Sequence, residues 1–341
     1  MTIRREGDTL FFQRPPVLEG WASVAGKKEA NGPLGKEFDI LCMDSRLGQK
    51  SFEKAEAKLQ NVAVSRALQK AGLESGSVDF ILGGDLLNQC IGSSYGLRDF
   101  GIPFLGLYGA CSTMAESMGL AAVLCASGAA GRCCAVSSSH FCSAERQFRF
   151  PLNYGGLRTP TAQWTVTGAG AVLVGDGDKK GPVSIRSVTF GRMEDLGITD
   201  INNMGAAMAP AAARTIGSFF ADTGSSPTEF DLILTGDLGF LGSELMLRLL
   251  LQNGLDIRAQ HADCGMMIYE RRRQDVHCGG SGCGCSASVL CSGILRSLSE
   301  GRLHRILFIA TGALMSTLSV QQGESIPAIA HLLQLTAGGE V

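Results

Sequence analysis

The sequence predicts an α/β fold made of two duplicated halves, stacked as five α/β/α/β/α layers. Three observations carry this. A short apolar strand ending in Gly-Asp occurs twice, 152 residues apart: Val78-Asp79-Phe80-Ile81-Leu82-Gly83-Gly84-Asp85-Leu86 and Phe230-Asp231-Leu232-Ile233-Leu234-Thr235-Gly236-Asp237-Leu238. A helical stretch and a turn precede each copy. A second helix-then-strand unit follows each. Alternating helices and strands argue for α/β layers, and the matching order argues for duplication.

Residues 55–72 read as the helix before the first strand, and residues 208–224 as its counterpart. Residues 111–127 read as the next helix and 133–137 as the next strand; residues 285–297 and 306–310 answer them in the second half. Gly131-Arg132 and Gly301-Arg302 are expected at matching turns. Residues 168–176 close the first half as a strand, and the polar run 176–182 is the seam. The halves are therefore expected at 1–178 and 179–341.

Composition bounds the function. Of 341 residues, 45% are hydrophobic, enough for a large core, and 18% are charged. A net charge of −2 gives no electrostatic case for nucleic acid. The 45 glycines follow no collagen-like period and imply many tight turns. Of the 12 cysteines, Cys42, Cys125, Cys133, Cys134 and Cys291 sit in apolar runs, as small buried hydrophobes do. The chain opens on a polar stretch rather than a secretory signal, and no uncharged apolar run reaches the ~18 residues of a membrane span. A soluble chain in a reducing compartment is expected, at most peripheral to a membrane.

Cys111 is the foremost chemical candidate. It sits in Leu107-Tyr108-Gly109-Ala110-Cys111-Ser112-Thr113, where an apolar run meets a small-residue helix. A cysteine at a helix N-terminus feels the positive end of the dipole, which favours thiolate. Buried structural cysteines are common, but this elbow places Cys111 on a pocket floor. The segment Gly279-Gly280-Ser281-Gly282-Cys283-Gly284 opens a helix whose N–H groups can hold a carboxylate. It lacks the Lys-Ser/Thr ending of a nucleotide-binding P-loop.

His140, Glu145, Arg146 and Arg149 follow a strand end, where ligands of α/β sheets collect. They read either as a solvated loop with ion pairs or as the rim of a ligand pocket, and the rim is favoured. Cys283-Gly284-Cys285, with His277 and Cys278 nearby, has no second paired knuckle, so no metal site is expected. Arg271-Arg272-Arg273 fits a solvated turn or a contact with anionic lipid.

The duplicated halves, the Gly-Ala-Cys-Ser elbow and Thr167-Gly168-Ala169-Gly170-Ala171 resemble the thiolase superfamily, particularly the type III ketoacyl-carrier-protein synthases. Longer segments resemble the stage V sporulation protein AD family: Ala144-Glu145-Arg146-Gln147-Phe148-Arg149-Phe150-Pro151, Pro160-Thr161-Ala162-Gln163-Trp164-Thr165-Val166, Thr199-Asp200-Ile201-Asn202-Asn203-Met204-Gly205 and Asp275-Val276-His277-Cys278-Gly279-Gly280-Ser281.

That resemblance implies a thiolase-like fold that binds dipicolinic acid and its calcium chelate during uptake into the developing spore and in germination. It implies no cofactor of its own, with calcium entering alongside the ligand. It also implies a homodimer, stage V sporulation membrane-channel proteins as partners, and a peripheral place at the inner spore membrane. The ligand pocket is expected around Cys111, with Ser139, His140, Arg146, Gly282 and Cys283 as its walls. A condensing enzyme of this class needs a His and an Asn beside its Cys to stabilise charge. Here Asp237 stands at the His position and Cys283 at the Asn position, so Cys111 reads as a vestigial nucleophile. His140, His261 or His277 would have to replace the lost partner. Two other readings are an acyl-transferase that uses Cys111, and an adaptor that docks channel subunits without binding a small molecule.

Overall fold

The computed structural model describes residues 2–148 and 158–338. In the first half the strands are β1 (Val17–Gly26), β2 (Phe80–Gly84), β3 (Phe104–Gly106), β4 (Arg132–Ser139) and β5 (Gly168–Gly175). In the second they are β6 (Val183–Phe190), β7 (Leu232–Thr235), β8 (His261–Asp263), β9 (Arg305–Ala313) and β10 (Ala328–Ala337). The spatial order is β1-β5-β4-β2-β3 and, repeated, β6-β10-β9-β7-β8. In each half the first two pairings are antiparallel and the last two parallel. The halves join where β1 pairs antiparallel with β6, Val17 opposite Ser184.

The principal helices are α1 (Phe52–Ala71), α2 (Thr113–Ala126), α3 (Phe141–Phe148), α4 (Met204–Thr223), α5 (Gly239–Gln252) and α6 (Cys283–Val289). Strand periodicity of two sorts side chains between layers. On β5, Ala169, Ala171 and Leu173 pack with α1 residues Leu59, Ala63 and Val64, while Val172 and Val174 face the central layer. On β9, Leu307 and Ile309 pack with α4 residues Met208, Ile216 and Phe219, while Ile306, Phe308 and Ala310 face the centre. Helices α2 and α6 fill that centre through Met114, Met118, Cys285 and Val289. Five layers result.

Local signals set the helix ends. Ser51 caps α1 by accepting the Lys54 N–H at 3.3 Å, and Gly72 stops it at φ 66°. Gly224 ends α4 at φ 67°. Only glycine meets these left-handed positions without a Cβ penalty.

Two sequence expectations shift. The matching turns are Gly131-Arg132 and His304-Arg305, rather than Gly301-Arg302. The N–H groups of Gly131 and Arg132 donate to Asp79, and those of His304 and Arg305 to Asp231. Residues 141–148 form α3, not a loop. Arg149, Phe150 and Pro151 lie outside the described residues.

Candidate ligand site

Cys111 sits in a tight turn, Ala110–Ser112, that leads into α2. Ala110 holds φ 50°, an unusual value for a residue with a Cβ. The turn is locked by Ser112 Oγ on the Gly109 carbonyl (2.6 Å) and Thr113 Oγ1 on the Ala110 carbonyl (2.7 Å). Cys111 is 5% exposed.

The Gly236 turn after β7 delivers Asp237 to the thiol. Its buried carboxylate accepts from Thr311 Oγ1 (2.7 Å), the Gly282 N–H (3.0 Å) and Ser281 Oγ (3.1 Å), and it lies beside the Cys111 thiol. Burial raises the Asp237 pKa, and these donors pull it back. Cys111 is pushed well above the ordinary thiol value, first by burial, then by the Asp237 charge and by Cys283. The expected thiolate is therefore overturned. A helix end contributes roughly 0.3–1 kcal/mol, too little to offset a buried anion beside a carboxylate.

The proposed wall residues divide. Cys283 opens α6, and its thiol donates to the Ala110 carbonyl at 3.0 Å, so it sits beneath Cys111 in the same apolar cluster. Gly282 takes φ 104°, and a Cβ there would fall 2.6 Å from Ser139 Oγ. Ser139 stands behind it, accepting the Gly284 N–H (3.0 Å) and donating to the Val166 carbonyl (2.7 Å). Cys111, Gly282, Cys283 and Ser139 thus form one unit around Asp237.

His140 and Arg146 do not join it. His140 caps α3, accepting the Cys142 N–H at Nδ1 (3.1 Å) and donating from Nε2 to the Ser45 carbonyl (2.7 Å). Burial lowers its pKa, and its ring faces a different cleft. Arg146 turns outward to pair with Glu53. The helical repeat explains the split: one side of α3 carries Ala144, Glu145 and Phe148 inward, leaving Arg146 on another face.

The cavity above Cys111 has a volume of about 40 Å³, room for one water or little more at roughly 30 Å³ each. Leu86, Tyr108, Phe148, Ile201, Met204 and Met315 line it, with Glu145, Thr165 and Ser281 among its polar groups. Thr165 escaped the sequence reading, and Glu145, read there as part of a rim, lies within the cavity lining. Buried Glu145 accepts from Thr165 Oγ1 at 3.1 Å and lies 3.6 Å from Arg158 Nη1. Among the described residues no Lys, Arg or His lines this cavity. His261 bonds Thr235 Oγ1 (3.0 Å), with burial pushing its pKa down to about 4, and His277 pairs with Asp275 (3.0 Å). Neither is among the residues that line the cavity.

The thiols of Cys283 and Cys285 diverge, to the carbonyls of Ala110 and Gly236. Among the described residues no three His, Cys, Asp or Glu side chains gather as a metal site. No helix among them is long and apolar enough to cross a membrane.

Comparison with known proteins fixes the family. The family model "Stage V sporulation protein AD" matches residues 6–336. The chain belongs to the stage V sporulation protein AD family. It is 46% identical over 323 residues to stage V sporulation protein AD of Bacillus subtilis (strain 168), covering 95% of each chain. The fold of this family member is that of the thiolase-like synthases. It is similar to 3-oxoacyl-[acyl-carrier-protein] synthase III from Aquifex aeolicus VF5, with a TM-score of 0.57, 13% identity and coverage of 94% and 99% of the two chains. The tetronic acid condensing enzyme AbyA1 gives 0.59, 17%, 94% and 100%. A variant of OleA from Xanthomonas campestris gives 0.60, 14%, 94% and 98%.

Proposed function

We propose that this sporulation protein is a non-catalytic thiolase-fold chain that binds dipicolinic acid, with or as its calcium chelate, and serves its uptake into the developing spore and germination. One observation carries the non-catalytic reading: the Cys111 thiol is buried beside the charge of Asp237, which holds it well above the ordinary value, and among the described residues no His, Lys or Arg lines its cavity. A nucleophile must be deprotonated or lose its proton to a base as it attacks. Burial beside a carboxylate opposes the thiolate, and the same charge repels the oxyanion that condensation would build.

The cavity chemistry supports the chelate there over the free dianion. Glu145, Thr165 and Ser281 are hard oxygen groups of the kind calcium prefers. The chelated ligand brings that cation with it. Entry requires the Phe148, Met204 and Met315 side chains to turn aside. A peripheral position at the inner spore membrane, beside channel proteins of the same stage, completes the reading.

A homodimer is part of this proposal. Strand β3 is a sheet edge with Phe104 36% and Leu105 41% exposed, beside exposed Ile91, Tyr95 and Tyr108. The edge Phe104-Leu105-Gly106-Leu107-Tyr108 carries no charge to block pairing, and a two-fold copy would cover it.

Calorimetric titration with dipicolinate, with and without calcium, tests the function. The expected result is saturable binding in calcium, weakened in Cys111→Ala. No binding in either condition contradicts it.

A further inference from the structure

Among the described residues, the most exposed large apolar side chains are Met193 (66%), Leu196 (66%) and Leu318 (61%). They stand on two segments that hold each other. The loop after β6 carries Met193 and Leu196, and a short helix after β9, Thr317–Gln321, carries Leu318. Glu194 and Ala328 exchange both backbone hydrogen bonds (2.9 and 2.8 Å), and the Ile326 N–H donates to the Ile198 carbonyl (2.8 Å). Ser325 Oγ donates to Asp195 at 2.6 Å. A single exposed apolar residue is ordinary, but a group of them on joined segments marks an interaction surface.

The charge on these segments has one sign. Asp195, Asp200 and Glu324 are exposed there, and among the described residues no Lys, Arg or His pairs with them. Asp195 and Asp200 accept turn N–H groups from Gly197 and Asn202. The nearby cations are already neutralised, Arg192 by Asp8 and Arg214 by Glu194. The backbone offers no free strand edge at Glu194, because Ala328 occupies both of its bonds. Strand addition is closed there, and recognition through side chains, as by a helix, is left.

We propose that this surface docks a basic amphipathic helix of a partner protein. The helix lays its apolar face on Met193, Leu196 and Leu318 and sets its Lys or Arg side chains against Asp195, Asp200 and Glu324. Opposite charge across such an interface speeds encounter and rejects acidic competitors. Both segments run on into the lining of the Cys111 cavity, through Ile201 and Met204 on one side and back to Met315 on the other, so the docked helix sits beside the cavity mouth.

The test uses the full chain and a fluorescein-labelled peptide whose helical repeat puts leucine on one face and lysine on the other. Its counterpart carries glutamate for lysine. Fluorescence anisotropy should show saturable binding of the lysine peptide, weakened by added salt, and none of the glutamate peptide. Affinity should fall about tenfold or more in Leu196→Ser/Leu318→Ser, as loss of apolar anchors predicts. It should fall about threefold or more in Asp195→Asn/Asp200→Asn, where two exposed ion pairs are lost. Glu74→Gln, in the first half, should bind as the parent does, and all variants should keep the parent's denaturation midpoint. No saturable binding of the lysine peptide overturns the proposal, as does equal binding of both peptides or unchanged affinity in both double variants. A change from dimer to monomer in light scattering of Leu196→Ser/Leu318→Ser would assign the surface to a second copy. Loss of pelleting with phosphatidylglycerol vesicles in that variant would assign it to a membrane. Either result overturns the docked helix.

Discussion

The Asp237 carboxylate lies beside the buried Cys111 thiol, and its charge helps push that thiol well above the ordinary value. Two halves of the chain meet at that point. Cys111 comes from the first-half elbow, and Asp237 ends the second copy of the strand-Gly-Asp repeat. On the function proposed above, Cys111 keeps the nucleophile's position and the charge of its neighbour opposes acyl transfer.

Replacing Asp237 should therefore wake the thiol. Removing a nearby negative charge lowers a thiol pKa, so Asp237→Asn should alkylate faster at Cys111 with iodoacetamide at neutral pH. The new amide N–H₂ also faces donors such as the Gly282 N–H, so about 1–3 kcal/mol of stability should be lost. Peptide mapping and urea denaturation give the two readouts.

Glu145→Gln should weaken binding of the calcium chelate about tenfold. The loss of one charged oxygen partner, roughly 1.5 kcal/mol or more, sets that size. The measurement is titration with dipicolinate at saturating calcium.

His331 links stability to pH. It is buried, accepts the Gly191 N–H at 3.2 Å, and burial pushes its pKa down to about 4. The unfolded chain holds its proton up to about pH 6.5. Between those values the unfolded state binds more protons, so this group's contribution is full above pH 6.5 and lost as pH falls toward 4. His331→Gln should lose less stability than the parent between pH 6.5 and 4. Denaturation midpoints across that window check it.

Gly284→Ala tests the packing beneath the site. A Cβ there would lie 2.3 Å from the Gly168 carbonyl oxygen and 2.8 Å from the Ser139 N. Backbone on both sides leaves little room to relax, so a loss near the upper end of roughly 1–3 kcal/mol is expected. Chemical denaturation measures it.

Leu105→Glu places a charge on the bare β3 edge. Light scattering after size exclusion should then show monomer where the parent shows dimer, with unchanged circular dichroism.

Much of the fold was legible because duplication repeats its own evidence. The Gly-Asp strand ends, the helix-strand order and the αL glycines all follow local rules. Asp237 was assigned to the His position by the resemblance to the type III synthases, in which the His follows the same strand. The site was less legible for two physical reasons. Read as a loop, residues 140–149 hid the helical spacing that sends Glu145 inward and Arg146 out. The thiol's protonation state depends on burial and on a carboxylate far away in sequence, which the helix-dipole argument does not contain.

The most direct test of the central claim is intact-protein mass spectrometry after incubation with short acyl-thioesters. The account predicts no acyl mass on Cys111 in the parent chain at neutral pH. A stoichiometric adduct, absent in Cys111→Ala, would contradict it and restore an acyl-transferase.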